Sequence, residues 1–107
     1  MIYLEHKTLW GLRGEVDEAV QAEIGRAATL RRGTRLTIVS WSRQLLACAE
    51  ACAQLANEGL DAELIDLRTI WPWDRDTVLG SAARTGHLLV VHEAVQAAGF
   101  GAEIAAT

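Results

Sequence analysis

The sequence predicts an α/β domain whose sheet is mostly parallel. Three short apolar runs, Leu36-Thr37-Ile38-Val39-Ser40, Ala62-Glu63-Leu64-Ile65-Asp66-Leu67 and His87-Leu88-Leu89-Val90-Val91-His92, alternate with two stretches of helical periodicity. Strand, helix, strand, helix, strand implies parallel pairing through right-handed crossovers. The length of 107 residues fits one domain, and a 50% hydrophobic share against 22% charged excludes a disordered tail. A domain of this size buries roughly two-thirds of the surface of its unfolded chain, enough for a core.

Taken in order, Ile2-Tyr3-Leu4-Glu5-His6 reads as a short strand-like piece. The stretch from Gly11 to Gly25, with Glu15, Asp17, Glu18 and Glu23, reads as a linker crossing a surface. Ala27 to Arg32 is the next expected strand. Gly33-Thr34 then reads as a tight turn joining it antiparallel to the run from Leu36, with Arg31, Arg32 and Arg35 solvated around it. Ser42 is expected to cap a helix whose stripe is Leu45, Cys48, Ala49, Cys52, Leu55 and Ala56, and Gly59 to end it in a left-handed conformation.

After the strand at 62–67, Pro72 is placed at the start of a helix, with Asp74 and Asp76 at the positive end of its dipole. Val78, Leu79, Ala82 and Ala83 are its expected buried side. The run at 87–92 reads as a strand covered on both faces. Gly101 to Thr107 opens a helix of about two turns, marginal unless it continues or leans on the core. Both ends read as cut from a longer protein. If so, Ile2, Tyr3 and Leu4 lack their sheet and are expected to be disordered or to pair with another copy.

The formal charge is −4, which argues against general nucleic-acid binding. No apolar run approaches the ~20 residues of a membrane span, and the first residues do not read as a secretory signal. Cys48 and Cys52 are the only cysteines and share the buried stripe, so core packing is preferred over metal ligation or a disulfide. An intracellular location follows as the default.

Ligands of open α/β sheets sit at the carboxyl ends of the strands, here Ser40-Trp41-Ser42, Arg68-Thr69-Ile70-Trp71 and His92-Glu93-Ala94. His92 and Glu93 could form an acid/base pair. Adjacent strand residues face opposite ways, however, so a histidine satisfied locally is the preferred reading. Gly99-Phe100-Gly101 could present amides to a phosphate. It lacks the third glycine of a dinucleotide fingerprint, and close backbone packing is preferred. Trp41, Trp71 and Trp73 suit either core or partner contact. There is no nucleophile elbow, lysine-bearing phosphate loop or carboxylate-rich metal motif.

Tyr3-Leu4-Glu5-His6-Lys7, Glu63-Leu64-Ile65-Asp66-Leu67-Arg68-Thr69-Ile70, Pro72-Trp73-Asp74, Val90-Val91-His92-Glu93-Ala94 and Gly99-Phe100-Gly101-Ala102-Glu103-Ile104-Ala105-Ala106 occur in an order that resembles one family. It is the beta subunit of the first, decarboxylating component of 2-oxo acid dehydrogenase complexes, of pyruvate, branched-chain or acetoin type. The resemblance implies a three-layer α/β/α fold like the transketolase C-terminal domain, mostly parallel with one antiparallel strand, and incomplete at its C-terminal end. Residues 1–10 would be a remnant of the last strand of the pyrimidine-binding domain, 11–26 a linker, and 27–107 the transketolase-type domain. Ala98-Gly99 stands where the family commonly has paired glycines.

By this resemblance the parent enzyme uses thiamine diphosphate and magnesium to decarboxylate a 2-oxo acid, and reductively acylates lipoyl groups of the acyltransferase core. The family's cofactor-activating glutamate and catalytic histidine match no position here. The segment is therefore expected to be inactive alone, to bind no cofactor, and to serve in assembly. Its expected partners are the alpha subunit and second beta subunit of an α2β2 assembly and the subunit-binding domain of the dihydrolipoyl acyltransferase, without nucleic acid or membrane. His92, Glu93, Gly99, Phe100 and Gly101 are the expected interface contacts. The location implied is cytoplasmic, or the mitochondrial matrix in a eukaryote. Alternatives are the corresponding domain of a transketolase or deoxyxylulose-phosphate synthase, and a free-standing α/β ligand-binding module.

Overall fold

The computed structural model describes residues 2–107. A short 3-10 helix, Lys7–Gly11, precedes an irregular stretch. The domain then runs β1 (Ala28–Arg31), β2 (Leu36–Ser40), α1 (Gln44–Asn57), β3 (Ala62–Asp66), α2 (Arg75–Thr85), β4 (Leu88–Val91) and α3 (Phe100–Ala106). The strands form one sheet in the order β1-β3-β2-β4; β2 is parallel to both β3 and β4, and β1 is antiparallel to β3.

The predicted α/β class with one antiparallel strand is observed, but that strand has a different partner. β1 and β2 do not form a hairpin across Gly33-Thr34; β3 lies between them. Ala62 to Ile65 are buried on both faces, which suits an interior strand, whereas β1 exposes Leu30 and carries a bulge between Thr29 and Arg31, as edges do. The loop after β1 crosses the start of β3. There Thr34 and Arg35 both donate backbone N–H groups to the Asp61 carbonyl, and Gly33 donates to the Glu63 carboxylate.

The period of two in the strands sorts the core into two layers. Ile38, Ala62 and Leu64 meet Cys48 and Cys52 of α1 on one face. Val39, Ile65 and Leu67 meet Trp73, Val78 of α2 and Ile104 of α3 on the other. Both cysteines are free and buried, as their position on the stripe predicts. Ala49 and Ala56 are exposed, so the buried stripe of α1 is narrower than expected.

α2 buries Val78, Ser81 and Thr85, while Ala83 is exposed and Leu79 and Ala82 are only partly covered. The expected apolar side is displaced because this helix packs on polar groups. The Thr37 hydroxyl lies 2.7 Å from those of both Ser81 and Thr85, and the Ser81 hydroxyl donates to Glu63 at 2.5 Å. Arg84 completes the arrangement with a 2.5 Å ion pair to the same carboxylate, which is 1% exposed. Burial pushes the Glu63 pKa upward, but the Ser81 hydroxyl, the Arg84 guanidinium and the Gly33 N–H outweigh it and hold it below the ordinary glutamate value.

Three local starts differ from expectation. Ser42 adopts a left-handed backbone, φ 56°, and meets the helix with its carbonyl, which accepts from Leu45 N–H; α1 begins at Gln44 without a side-chain cap. Pro72 stands before α2 in a loop, after a cis peptide bond, and Asp74 is the residue that caps the helix. One Asp74 oxygen accepts from Thr77 N–H, and the other accepts from the Thr77 hydroxyl and from Ala27 N–H at the end of the linker. Residues 2–6 form no strand: Ile2, Tyr3 and Leu4 are exposed, while His6 is anchored to the sheet end. β4 is an edge strand here and is half-buried, since only β2 pairs with it.

Candidate functional site

Parallel pairing brings the carboxyl ends of β2, β3 and β4 to one end of the domain, where the candidate residues gather. His92, just past β4, turns its imidazole inward. It stacks on Trp41 from the end of β2, with centroids 5.2 Å apart and planes 11° apart. Phe100 of α3 meets Trp41 and Trp73 edge-on at 6.0 and 6.3 Å. The four rings make a continuous column linking β2, β4, α2 and α3.

The glycines explain how α3 reaches that column. A Cβ on Gly101 would overlap the imidazole of His92, and one on Gly99 would overlap the Val95 carbonyl and the same ring. Close packing is therefore the role of Gly99-Phe100-Gly101. The buried Nδ1 of His92 has no hydrogen-bond partner among the described residues.

Glu93 points the other way. Its carboxylate lies 3.0 Å from His6 Nε2 and 3.3 Å from Arg43 Nη1. His92 and Glu93 are thus not brought together as an acid/base pair, in keeping with the alternation of side chains. At the end of β3, Asp66 accepts the backbone N–H of Arg68 and lies 3.4 Å from its Nε. Burial pushes the Asp66 carboxyl above its usual value despite these contacts. Arg68 is left-handed, φ 58°, so strained residues follow both β2 and β3.

Around this centre exposed apolar side chains stand among charged ones. Trp71 and Val95 are 76% and 75% exposed, and Trp10, Ile24 and Ile70 are also exposed. A cleft of about 790 Å³ lies among Leu9, Trp10, Trp41, Asp66, Arg68 and Ile70. Its three carboxylates, Glu5, Glu23 and Asp66, are engaged by Trp10, Arg26 and Arg68 respectively, and no group of three or more His, Cys, Asp or Glu converges among the described residues to hold a metal ion. That donor set does not fit a magnesium diphosphate. Sequence reasoning missed Arg43 and the buried Glu63; an acid within an apolar interior strand was the available signal for the latter.

The family profile described as the transketolase C-terminal domain matches residues 25–107. The chain belongs to the transketolase C-terminal domain family. It is 40% identical to the 2-oxoisovalerate dehydrogenase subunit beta 2, mitochondrial, of Arabidopsis thaliana, over 100% of this chain and 30% of that one. It is 44% identical to the acetoin:2,6-dichlorophenolindophenol oxidoreductase subunit beta of Cupriavidus necator, over 99% and 32%. With the pyruvate dehydrogenase E1 component subunit beta of Rickettsia felis the identity is 41%, over 98% and 32%. The chain thus spans about a third of the length of these relatives. A solved structure described as a split gene transketolase, inactive beta4 tetramer, superposes with a TM-score of 0.81 at 28% identity, covering 90% of this chain and 32% of that one.

Proposed function

We propose that this chain is the assembly and docking portion of a thiamine-diphosphate-dependent 2-oxo acid dehydrogenase beta subunit. In this reading residues 27–107 are its transketolase-type domain, 11–26 the linker, and 1–10 the end of a pyrimidine-binding domain. The parent enzyme decarboxylates a 2-oxo acid with thiamine diphosphate and magnesium and acylates lipoyl groups, in the cytoplasm or the mitochondrial matrix. The partners are an alpha subunit, a second beta subunit and the acyltransferase's subunit-binding domain. The observation that carries the reading is the identity of some 40% to beta subunits over nearly the whole chain, on which Trp10, Ile70, Trp71 and Val95 are exposed. Exposed tryptophans are among the side chains that anchor protein interfaces. His92, Glu93, Gly99, Phe100 and Gly101 are the contact residues in this reading, carried on the loop that packs against the aromatic column.

No catalytic step follows from these residues alone, because the imidazole is stacked inward and the buried carboxylates are paired. Calorimetric titration of the chain with thiamine diphosphate and magnesium tests this. No saturable heat is expected. Saturable binding would place a cofactor site on these residues and overturn a role limited to docking.

A further inference from the structure

The strand order makes β2 the strand from which connections diverge. α1 leads from β2 to β3 on one side, and α2 leads from β3 to β4 on the other. The crevice between the carboxyl ends of β2 and β4 is therefore the topological switch point, the usual seat of a ligand in such sheets. Here side chains from three segments of the chain meet at its rim. Glu93 follows β4, Arg43 precedes α1, and the two meet at 3.3 Å. His6 Nε2 approaches the other carboxylate oxygen of Glu93 at 3.0 Å.

The second nitrogen of His6 is also used. Nδ1 accepts from Thr8 N–H at 3.3 Å and lies 2.8 Å from the Thr8 hydroxyl, so it caps the 3-10 helix that follows. An accepting Nδ1 leaves the proton on Nε2, which donates to Glu93. One imidazole thus shapes its own segment and fixes it to the sheet. Ser42, which lines the cleft beside the segment, has a left-handed backbone, φ 56°. Between the segment and the ends of β2 and β3 lies the cleft lined by Trp10, Trp41, Asp66 and Arg68.

We propose that residues 6–11 form a strap held against the strand ends by the His6–Glu93–Arg43 cluster, and that releasing the latch opens the cleft behind it. The strap carries Trp10, so the inference rests on the proposed docking reading, but cleavage after Lys7 reads the latch with no partner present. None of the latch residues belongs to the buried core, so the strap opens without unfolding the sheet.

Limited trypsin digestion tests the proposal, because Lys7 lies inside the strap. Wild type, Glu93→Ala, His6→Ala and the double variant are compared, with Glu50→Ala on the exposed face of α1 as control. Loss of one charge-assisted hydrogen bond is expected to raise cleavage after Lys7 about tenfold in each single variant. Because His6 also caps the 3-10 helix, His6→Ala should cleave at least as fast as Glu93→Ala, and the double variant no faster than His6→Ala. Thermal melting by circular dichroism should stay at the wild-type midpoint. Equal cleavage in wild type and Glu93→Ala would overturn the latch. So would additive effects in the double variant, or a fall in melting midpoint parallel to the gain in cleavage.

Discussion

Glu63→Ala is expected to lower the free energy of unfolding by about 3 kcal/mol, the usual scale for breaking a buried ion pair from one side. The side chain is 1% exposed and takes donors from three directions: Ser81 of α2, Arg84 at the end of α2, and Gly33 in the loop after β1. Removing it leaves the Ser81 hydroxyl and the Gly33 N–H to find other partners under a helix that already packs on polar groups. Glu63→Gln should lose less, since the amide keeps an acceptor. Because folding holds the Glu63 pKa below its unfolded value, its contribution is present above the unfolded pKa, about 4.3 for glutamate, and is lost as pH falls through the lower folded value. Urea titration at neutral pH and at acid pH measures both effects. A loss under about 1 kcal/mol for Glu63→Ala would contradict the assigned role, that being the scale of an ordinary hydrogen bond.

Gly33→Ala should be at least as damaging, by about 3 kcal/mol. A Cβ at this position would overlap the backbone of Ala62 and Glu63, and backbone inside an interior strand cannot turn aside as a side-chain tip can. The same displacement would pull the Gly33 N–H away from Glu63, so the two substitutions should be non-additive in a double-mutant cycle. Gly59→Ala offers the comparison. Its φ of +84° strains an alanine, yet nothing lies near the added methyl, so it should cost only about 1 kcal/mol. Urea midpoints rank the two, and equal losses would show that crowding against β3 is not what Gly33 avoids.

The same pair of residues shows where the sequence could be read and where it could not. The period of the apolar residues predicts three parallel strands, two long helices and the buried cysteines, because burial against a layer leaves its mark locally. The position of β1 leaves no such mark. Gly33 looks like a hairpin turn, and only the packing of its Cα against β3 shows that the loop crosses β3 and does not double back. The polar underside of α2 was hidden for a related reason. Ser81 and Arg84 fall outside the expected apolar side of the helix, and only the position of Glu63 beneath them shows their role.

The candidate site was legible in its residue types and not in its geometry. His92 and Glu93 were singled out together, and the structure separates them: one ring builds the aromatic column and one carboxylate holds Arg43 and His6. The glycines at 99 and 101 were correctly read as close packing, since the His92 ring fills the space their side chains would occupy. Arg43 and the left-handed residues at 42, 68 and 98 could not be foreseen, because the loops that place them are set by tertiary contacts.

The central claim is that the apolar strand-end surface docks a partner. Sedimentation of this chain with an alpha subunit of a 2-oxo acid dehydrogenase from the same source tests it directly, with Trp71→Asp and Val95→Asp beside the wild type. Both side chains are largely exposed, so neither change should move the melting midpoint. The account predicts a complex with the wild type that weakens at least tenfold in either variant. Binding that is equally tight in all three would contradict it.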